Sequence, residues 1–469
     1  MKVATFLGKR NPVPDAVGVP TKTRKRIGRK VRATFRCMQA GRVSRLYDLP
    51  TFCDHGPDHR TTKLHRYTAC YLPELAARLI RRHSRPKAVV LDSFLGGGTT
   101  AIQAVANERQ ALGIDVHPAA VEIAQARLAP VFPNALEHAI DRIKRALKHG
   151  RPTKVDLPSD PGGWEWERWF PTPSHPVLSQ LRCLITGMQR SDVRRLLLVA
   201  TAGALKQVSF WYSHATKLQF DGKKKPQDLQ EVMIQRLEAA QKINEDLWSH
   251  VGGREGTTQR RSSARLMVGD CSALPFDSES ADLAVSSPPY FIAYDYAKLL
   301  RLTSWWILGR VPDGTGHLEV DGRGTSIVEI APPELGEVFR RTFGAALRKL
   351  EVDDSGYSAS HVRTLIRSLP PFFEGLRCAL SEFLRVLRPA AKLCLVVGNT
   401  RHCGITIPTA EITMELAMLQ GFHLVAVHRR RQHSATQPQG RDGSGQFTSD
   451  DALSQYSYRD EYVVVMRKP

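Results

Sequence analysis

The chain has 469 residues, too many for one minimal domain, and 42% of them are hydrophobic, which is enough for a substantial core. No run of about 18 apolar residues occurs and the N-terminus has no apolar signal segment, so we expect a cytoplasmic protein with no membrane partner. The formal net charge of +21 favours a polyanion such as nucleic acid as the partner.

About half of this charge lies at the start of the chain. Residues 1–50 hold 13 Lys and Arg against Asp15 and Asp48, a net charge of +11, and the densest run is TKTRKRIGRKVR at 21–32. We therefore predict a basic N-terminal arm over residues 1–60. Contact with nucleic acid is one interpretation of this arm, and a solvated tail is the other.

From residue 87 onward, apolar runs typical of buried strands alternate with helical patterns. The predicted strands are 87–92, 111–115, 264–270, 282–287, 392–399, 422–428 and 461–467, and the predicted helices are 99–109, 118–128, 372–387 and 409–419. This alternation indicates an α/β fold with a doubly wound, seven-stranded sheet. The last two strands have no clear helix between them, which predicts an antiparallel pair at the edge of a mixed sheet.

Two segments interrupt this alternation. Residues 130–263 are far more than one strand–helix unit requires, and they contain the aromatic-rich GGWEWERWF at 162–170 and a long helical stretch. We predict a large, mainly helical insertion there. The second segment, roughly 309–370, contains Gly and Asp, and we expect it to be rich in loops.

A glycine loop joins the first predicted strand to the first predicted helix in VVLDSFLGGGTTAIQAV, residues 89–105. Glycines let a ligand approach the backbone, and the N–H groups that begin a helix favour an anionic group. Asp115 ends the next strand, where an acid can bind ribose hydroxyls. The glycines do not form GxGxxG, which makes a dinucleotide a weaker candidate.

The stretch SSPPYF, residues 286–291, follows another apolar strand. Proline fixes φ, lacks an N–H group and restricts the residue before it, so Ser287 and Pro288 can present a hydroxyl and a carbonyl as acceptors. Acceptors around an exocyclic amine make its nitrogen more nucleophilic, and the ring of Tyr290 offers a face on which a flipped base can stack. The alternative is an ordinary strand end followed by a core aromatic residue.

These two loops belong to one predicted rim. In open α/β sheets, ligands bind beyond the carboxyl ends of the strands. Asp92, Asp115, Asp270 and Ser287 all fall at predicted strand ends, so we expect their side chains to lie along the same edge of the sheet.

The loop DSFLGGGTT resembles motif I of the amino-group DNA methyltransferases, commonly written D-P-F-x-G-S-G-T-T, with Ser93 and Gly97 as departures. Residues 65–80, 113–128 and 268–275 resemble motifs X, II and III of the same enzymes. The resemblance implies a Rossmann-like class I methyltransferase fold and S-adenosylmethionine (AdoMet) as the cofactor. The cofactor-binding residues that it implies are Tyr67, Asp92, Phe94, Gly96, Gly98, Thr99, Thr100, Asp115, Asp270 and Cys271.

The residues SPPY resemble motif IV of this family, (D/N/S)-P-P-(Y/F/W), which implies that Ser287, Pro288, Pro289 and Tyr290 are catalytic. Members with Ser typically methylate cytosine at N4, and those with Asp or Asn usually methylate adenine at N6. We therefore predict site-specific methylation of cytosine N4 in double-stranded DNA by base flipping. The alternatives are adenine N6, an RNA base, or an inactive nucleic-acid-binding protein. A separate restriction or defence partner is compatible with each of them.

The resemblance covers roughly residues 60–128 and 264–469. We predict an AdoMet-binding half over 61–129 and a catalytic half over 264–469, with the insertion at 130–263 as a candidate target-recognition or clamp region. Downstream, FIAYDYAKLLRLTSWWILG (291–309) predicts an amphipathic helix whose aromatic residues are either core or one wall of the base pocket: Tyr294, Tyr296, Trp305 and Trp306. The run RRR at 429–431 is either a phosphate contact or a solvated loop.

The eight cysteines form no CxxC pair, so a disulfide framework is not expected and a reducing compartment fits. Cys53, His55 and His59 lie close together in the sequence, but their spacing matches no standard set of zinc ligands. We therefore expect no metal site.

Overall fold

The computed structural model describes residues 20–39, 60–67, 70–149, 157, 165–212, 219–291, 296–312, 333–351, 359–431 and 460–469. The strands in these ranges are β1 Val89–Asp92, β2 Gln110–Asp115, β3 Ala264–Val268, β4 Ala281–Ser286, β5 Leu387–Gly398, β6 Thr400–His402, β7 Ile405–Ile407, β8 His423–Arg431 and β9 Asp460–Arg467.

The α-helices in the same ranges are α1 Thr21–Gln39, α2 Pro73–His83, α3 Thr99–Ala106, α4 Pro118–Leu128, α5 Pro133–His149, α6 His175–Thr186, α7 Ser191–Ala202, α8 Leu229–His250, α9 Gly253–Ser262, α10 Tyr296–Leu299, α11 Arg301–Leu308, α12 Gly336–Glu351, α13 Ala359–Val386 and α14 Thr409–Leu419. Short 3₁₀ helices occupy Thr61–Lys63, Trp166–Trp169, Thr172–Ser174 and Pro333–Leu335. None of the described helices is long and apolar enough to cross a membrane.

Seven strands form one sheet in the order β3-β2-β1-β4-β5-β9-β8, while β6 and β7 form a separate hairpin. Neighbouring strands are parallel except at β9, which runs antiparallel to both β5 and β8. The strand order reverses between β1 and β4, which is where open α/β sheets form a ligand crevice. The predicted doubly wound, mixed sheet and its antiparallel closing pair are confirmed.

Both faces of the sheet are covered, which is why its strands read as continuous apolar runs. Consecutive residues of β5 point to opposite faces. Cys394 and Val396 pack in the core that contains α2, α3 and α4, and Leu393 and Leu395 pack in the core that contains α1, α12, α13 and α14. The sheet is therefore held between two helical layers.

Helices α5 to α8, from residues 133–250, build a hydrophobic core of their own. Trp305 and Trp306 of α11 are fully buried in this core. The ring of Trp305 stacks on Trp166 with 5.3 Å between centroids, and Nε1 of Trp306 donates to Thr201 Oγ1 at 2.8 Å. Of the two interpretations of these tryptophans, core packing is correct, because both side chains are buried among the helices of the insertion. Tyr294 and the side chain of Tyr296 lie outside what the structure describes.

The expectation that residues 309–370 are rich in loops is wrong for the part of this segment that the structure describes. Helix α12 lies within it, and α13 begins at Ala359 and continues through Pro370 and Pro371. Two prolines remove backbone donors from the helix. Burial of apolar side chains on both sides of the pair, including Leu369 and Phe372, holds this turn in helical geometry.

The basic N-terminal run forms a helix, α1, that the sequence patterns did not predict. Its apolar side, Val31 and Phe35, is buried in the main core, and the helix packs against α14 and α12. The ring of Phe35 lies 5.2 Å from that of Tyr462, at the start of β9. Helix α1 is therefore attached to the domain of the seven-stranded sheet, with its C-terminal half beside the carboxyl edge of β5.

Candidate active site

The carboxyl ends of β1, β2, β3 and β4 meet at one edge of the sheet because these strands are parallel. Asp92 ends β1, Asp115 ends β2 opposite Val268 of β3, and Ser287 follows β4. Asp270 lies two residues beyond the end of β3. The structure thus places these four predicted residues along one rim, with the crevice between β1 and β4 at its centre.

The glycine loop needs its glycines for two separate reasons. Gly96 and Gly98 have φ of +49° and +83°, a region that strains other residues. A Cβ on Gly98 would lie 2.7 Å from Cβ of Ala124 in α4, and one on Gly96 would lie 3.1 Å from the ring of Tyr67. The loop is therefore pressed between α4 and Tyr67.

Asp92 is only 2% exposed, and its carboxylate joins the two loops of the site. Oδ1 accepts a hydrogen bond from the backbone N–H of Phe94 at 3.1 Å and another from the hydroxyl of Ser286. A second link runs from Thr100 Oγ1 in α3 to the carbonyl of Val285, 3.1 Å away. Burial raises the pKa of Asp92, and the hydrogen bonds from Ser286, Thr100 and Phe94 oppose that rise.

Asp115 bridges the glycine loop and the turn after β2. Oδ2 accepts from the N–H of Gly96 at 2.7 Å, and Oδ1 accepts from the N–H of His117 at 2.9 Å. Burial raises the pKa of this carboxyl to about 6, although both hydrogen bonds favour the ionised form. A carboxylate offers about four acceptor positions, so two remain for ribose hydroxyls.

The segment after β3 is built around Asp270. Its Oδ1 accepts from both the backbone N–H and the hydroxyl of Ser272, each at 2.8 Å. Burial raises the pKa of the neighbouring Cys271 thiol, which keeps it neutral. Val116 and Val268 are 47% and 53% exposed beside these acids. Exposed apolar side chains next to hydrogen-bonding acids fit an adenosine, whose ring is flat and whose ribose is polar.

Ser287 has one defined hydrogen bond. Its Oγ donates to the carbonyl of Val396 in β5 at 3.0 Å. A hydroxyl has a single proton and two acceptor lone pairs. With its proton directed into β5, the Ser287 oxygen can act only as an acceptor toward a substrate.

Tyr290 is anchored at both its ring and its hydroxyl. The hydroxyl donates to Glu461 Oε1 at 2.8 Å, and the ring lies so close to Gly398 that a Cβ there would be 2.7 Å from Cε2. The next residue, Phe291, is buried and packs edge-to-face on Phe372 with 5.1 Å between ring centroids. The SPPY turn is therefore fixed on the side away from the crevice.

Three residues that the sequence patterns did not single out hold this site together. Ser286 and Glu461 are described above, and Arg127 of α4 is the third. Arg127 is 2% exposed and donates from a guanidinium nitrogen to the carbonyl of Gly97 at 2.5 Å. The sequence indicates this role of Arg127 only through its position three residues after Ala124. That spacing places both side chains on the side of α4 that faces the glycine loop.

The phosphate-contact interpretation of RRR is wrong for its central residue. Arg430 is 8% exposed and donates to Glu461 Oε2 at 2.6 Å. Side chains alternate between the two faces of a strand, so Arg430 points inward while Arg429 is exposed.

No group of three or more His, Cys, Asp or Glu in the described ranges is placed to hold a metal ion. Cys53, His55 and His59 lie outside those ranges.

The fold and the rim define a class I methyltransferase that uses AdoMet. Residues 10–126 match a family model described as DNA methylase (N6_N4_Mtase). The chain is 22% identical over 419 residues to the Type II methyltransferase M.MvaI of Kocuria varians, covering 83% of this chain and 88% of that protein. It is also 22% identical to the Type II methyltransferase M.BsoBI of Geobacillus stearothermophilus, covering 81% and 82% of the two chains.

These matches, with the ordered motifs, make the chain similar to the amino DNA methyltransferases. A solved structure of a TehB-like SAM-dependent methyltransferase from Corynebacterium glutamicum matches with 9% identity and a TM-score of 0.27, covering 95% of this chain and 98% of that one. The strand order of the sheet, with β9 antiparallel to its neighbours, defines the fold.

We expect Gly98→Ala to weaken AdoMet binding at least tenfold and to lower the free energy of unfolding by about 1–3 kcal/mol. The reasons are its φ of +83° and the clash with Ala124. Calorimetric titration and urea unfolding measure the two effects. Gly252→Ala is the matched control, because Gly252 has φ +79° and no atom within 4 Å of the added Cβ. Equal losses in both variants would contradict the proposed close packing of the loop.

Proposed function

We propose that this DNA methyltransferase transfers a methyl group from AdoMet to N4 of cytosine at specific sites in double-stranded DNA. The observation that carries the proposal is the hydrogen bond from Ser287 to Val396, which leaves a neutral oxygen acceptor at the position of motif IV. Family members with Ser at this position typically methylate cytosine. A carboxylate or an amide, found in the adenine enzymes, is absent from this position.

The lone pair of an exocyclic amine is delocalised into the base ring, which makes the nitrogen a poor nucleophile. The Ser287 oxygen and the Pro288 carbonyl are proposed to accept the two amine N–H groups, which favours a tetrahedral, more nucleophilic nitrogen. The N–C bond then forms as the C–S bond breaks, the sulfur keeps the electron pair, and the amine releases one proton to water. This chemistry requires no covalent link between enzyme and base.

The target base has to leave the DNA double helix to reach the SPPY turn, and unstacking the base costs a few kcal/mol. Tyr290 is proposed to recover about 1–3 kcal/mol by stacking on the flipped cytosine. Its hydroxyl and one side of its ring are held by Glu461 and Gly398. A ring that is already fixed loses little entropy when the base binds. Pro289 helps to fix the turn.

The glycine loop and the three acids are proposed to hold AdoMet, which supplies an electrophilic methyl group on a sulfonium sulfur. Asp115 would accept from the ribose hydroxyls, Asp270 and Cys271 would face the adenine, and Val116 would pack on it. The N–H groups at the start of α3, Thr99 and Thr100, would face the methionine carboxylate. Tyr67 and Phe94 would close the sides of the cleft. Asp92 would act mainly by holding Phe94 of the glycine loop and Ser286 in place.

The positive charge of the chain supports DNA as the polyanion. Among the described side chains of α1, the exposed cations lie within about 140° of the helix circumference, at 100° per residue. They are Lys22, Lys25, Arg26, Arg29 and Lys30. The insertion at 130–263 is proposed to recognise the target sequence. The named relatives are Type II methyltransferases, so a separate restriction endonuclease is the partner that we propose for the system.

Ser287→Ala is expected to lower kcat at least a hundredfold, because one acceptor of the amine is lost in the transition state. The affinity for AdoMet should change less than about twofold. Radiolabelled methyl transfer and calorimetric titration measure these quantities. Ser280→Ala is the matched control, since Ser280 Oγ makes a similar bond to a carbonyl, that of Asp277, at the other end of β4. A wild-type rate in Ser287→Ala would contradict the proposed role.

The target base is tested by digesting DNA and RNA to nucleosides after reaction with labelled AdoMet. The proposal predicts label in N4-methylcytosine from DNA. Label in N6-methyladenine would show that adenine N6 is the target instead of cytosine N4. Label only in RNA would show that the substrate is an RNA base. DNA binding without AdoMet binding or methyl transfer would indicate an inactive binding protein.

The pKa of Asp115 predicts how cofactor binding depends on pH. Ribose hydroxyls donate to the ionised carboxylate, and its pKa without cofactor is about 6. The dissociation constant for S-adenosylhomocysteine should be constant above about pH 7 and rise up to tenfold per pH unit below 6, because binding must then displace a proton. Calorimetry between pH 5 and 8 measures this. Asp115→Asn should bind more weakly with a flatter profile, and an unchanged slope in that variant would contradict the assignment.

A further inference from the structure

We propose that Glu461 is a positioning residue for the methyl transfer: its carboxylate, held by Arg430, sets the angle of the Tyr290 ring against which the target base stacks. This inference rests on the proposed function of Tyr290 as the stacking platform. It does not depend on whether the base is cytosine or adenine, because both rings need the same flat surface.

The three residues are connected through the two oxygens of one carboxylate. Oε1 of Glu461 accepts from the Tyr290 hydroxyl at 2.8 Å, and Oε2 accepts from the Arg430 guanidinium at 2.6 Å. Glu461 is 3% exposed and Arg430 is 8% exposed. Hydrogen bonds to a carboxylate in such a dry environment are strong and directional. The carboxylate therefore has a fixed position from which to hold the phenol.

The sheet explains why this carboxylate lies next to the site. Glu461 of β9 is opposite Gly398 at the carboxyl end of β5 and opposite Arg430 of β8. Because β9 is antiparallel to its neighbours, its first residues reach the same edge where the other strands end. An acid at this register can therefore reach the hydroxyl of Tyr290 in the SPPY turn.

Gly398 supplies the second contact that fixes the ring. Its missing side chain lets Tyr290 lie directly on β5, since a Cβ would be 2.7 Å from Cε2 and 3.1 Å from Cδ2. The backbone of Gly398 blocks movement of the ring toward β5, and the bond to Glu461 blocks rotation of its hydroxyl away from β9. Together these two contacts restrict the orientation of the Tyr290 ring.

A double-mutant cycle tests the inference. Tyr290→Phe removes only the hydroxyl, and Glu461→Gln removes the charge that both partners bind. Each is expected to lower kcat about ten- to a hundredfold, the loss for one hydrogen bond to a charged group. The double variant should lose no more than the worse single one, because both changes break the same link. The KM for DNA and the affinity for AdoMet should change less, by about twofold.

Glu374→Gln is the control for a purely structural effect. Glu374 pairs with the 9% exposed Arg377 at 2.7 Å within α13, and its loss should lower stability but leave kcat unchanged. Losses of Tyr290→Phe and Glu461→Gln that multiply in the double variant would overturn the inference, as would an unchanged kcat in either single variant.

A second variant keeps the test decisive if Glu461→Gln does not fold. Gly398→Ala leaves the pair of Glu461 and Arg430 intact but displaces the ring, so it should also reduce kcat with little change in AdoMet affinity. A wild-type kcat in Gly398→Ala would overturn the inference. If the wild-type protein transfers no methyl group to DNA, the proposed function fails. If the wild-type protein does methylate DNA but the losses of Tyr290→Phe and Glu461→Gln multiply in the double variant, only the proposed role of Glu461 fails.

Discussion

The buried carboxylate of Asp92 is the interaction on which the rest of the site depends. It ends β1 and accepts from Phe94 in the glycine loop and from Ser286 at the end of β4. A buried carboxylate is costly unless its acceptors are used, so the two loops cannot easily move apart. Family resemblance treats this acid as a cofactor ligand, whereas its observed bonds link the glycine loop to Ser286, next to the SPPY turn.

Other contacts extend this link outward along the rim. Asp115 connects the glycine loop to the turn after β2, and Ser287 connects the SPPY turn to β5. Glu461 then connects Tyr290 to the closing strands. The rim is therefore continuous from β2 to β9, and Ser287 and Tyr290 are each held by a hydrogen bond to a strand of the sheet. Such preorganisation is what transfer to a weak nucleophile requires.

Much of the fold could be predicted because local pattern and tertiary role agree. The runs at β1, β4 and β5 are apolar on both faces, and Gly96 and Gly98 between β1 and α3 have backbone angles that glycine adopts most easily. Asp115 and Ser287 could be placed because parallel strands end at a common edge. The chemistry of SPPY could be proposed because proline restricts its own φ and its neighbour.

The remaining features depend on distant contacts that no local pattern contains. Trp305 stacks on Trp166, 139 positions earlier in the sequence, and Arg430 is neutralised by Glu461 on a neighbouring strand. Helix α13 passes through Pro370 and Pro371 because the residues around them are buried. In each case tertiary packing overrides the tendency that the segment shows alone.

The most direct test of the central claim is the affinity of Ser286→Ala for AdoMet. Ser286 lies at the end of β4, beside the SPPY turn, and reaches the glycine loop through Asp92. If the carboxylate joins the two loops, calorimetric titration should show AdoMet binding weakened about tenfold, the loss for one hydrogen bond to a charged group. Wild-type affinity in this variant would show that the glycine loop holds its shape without Ser286, and would contradict the account.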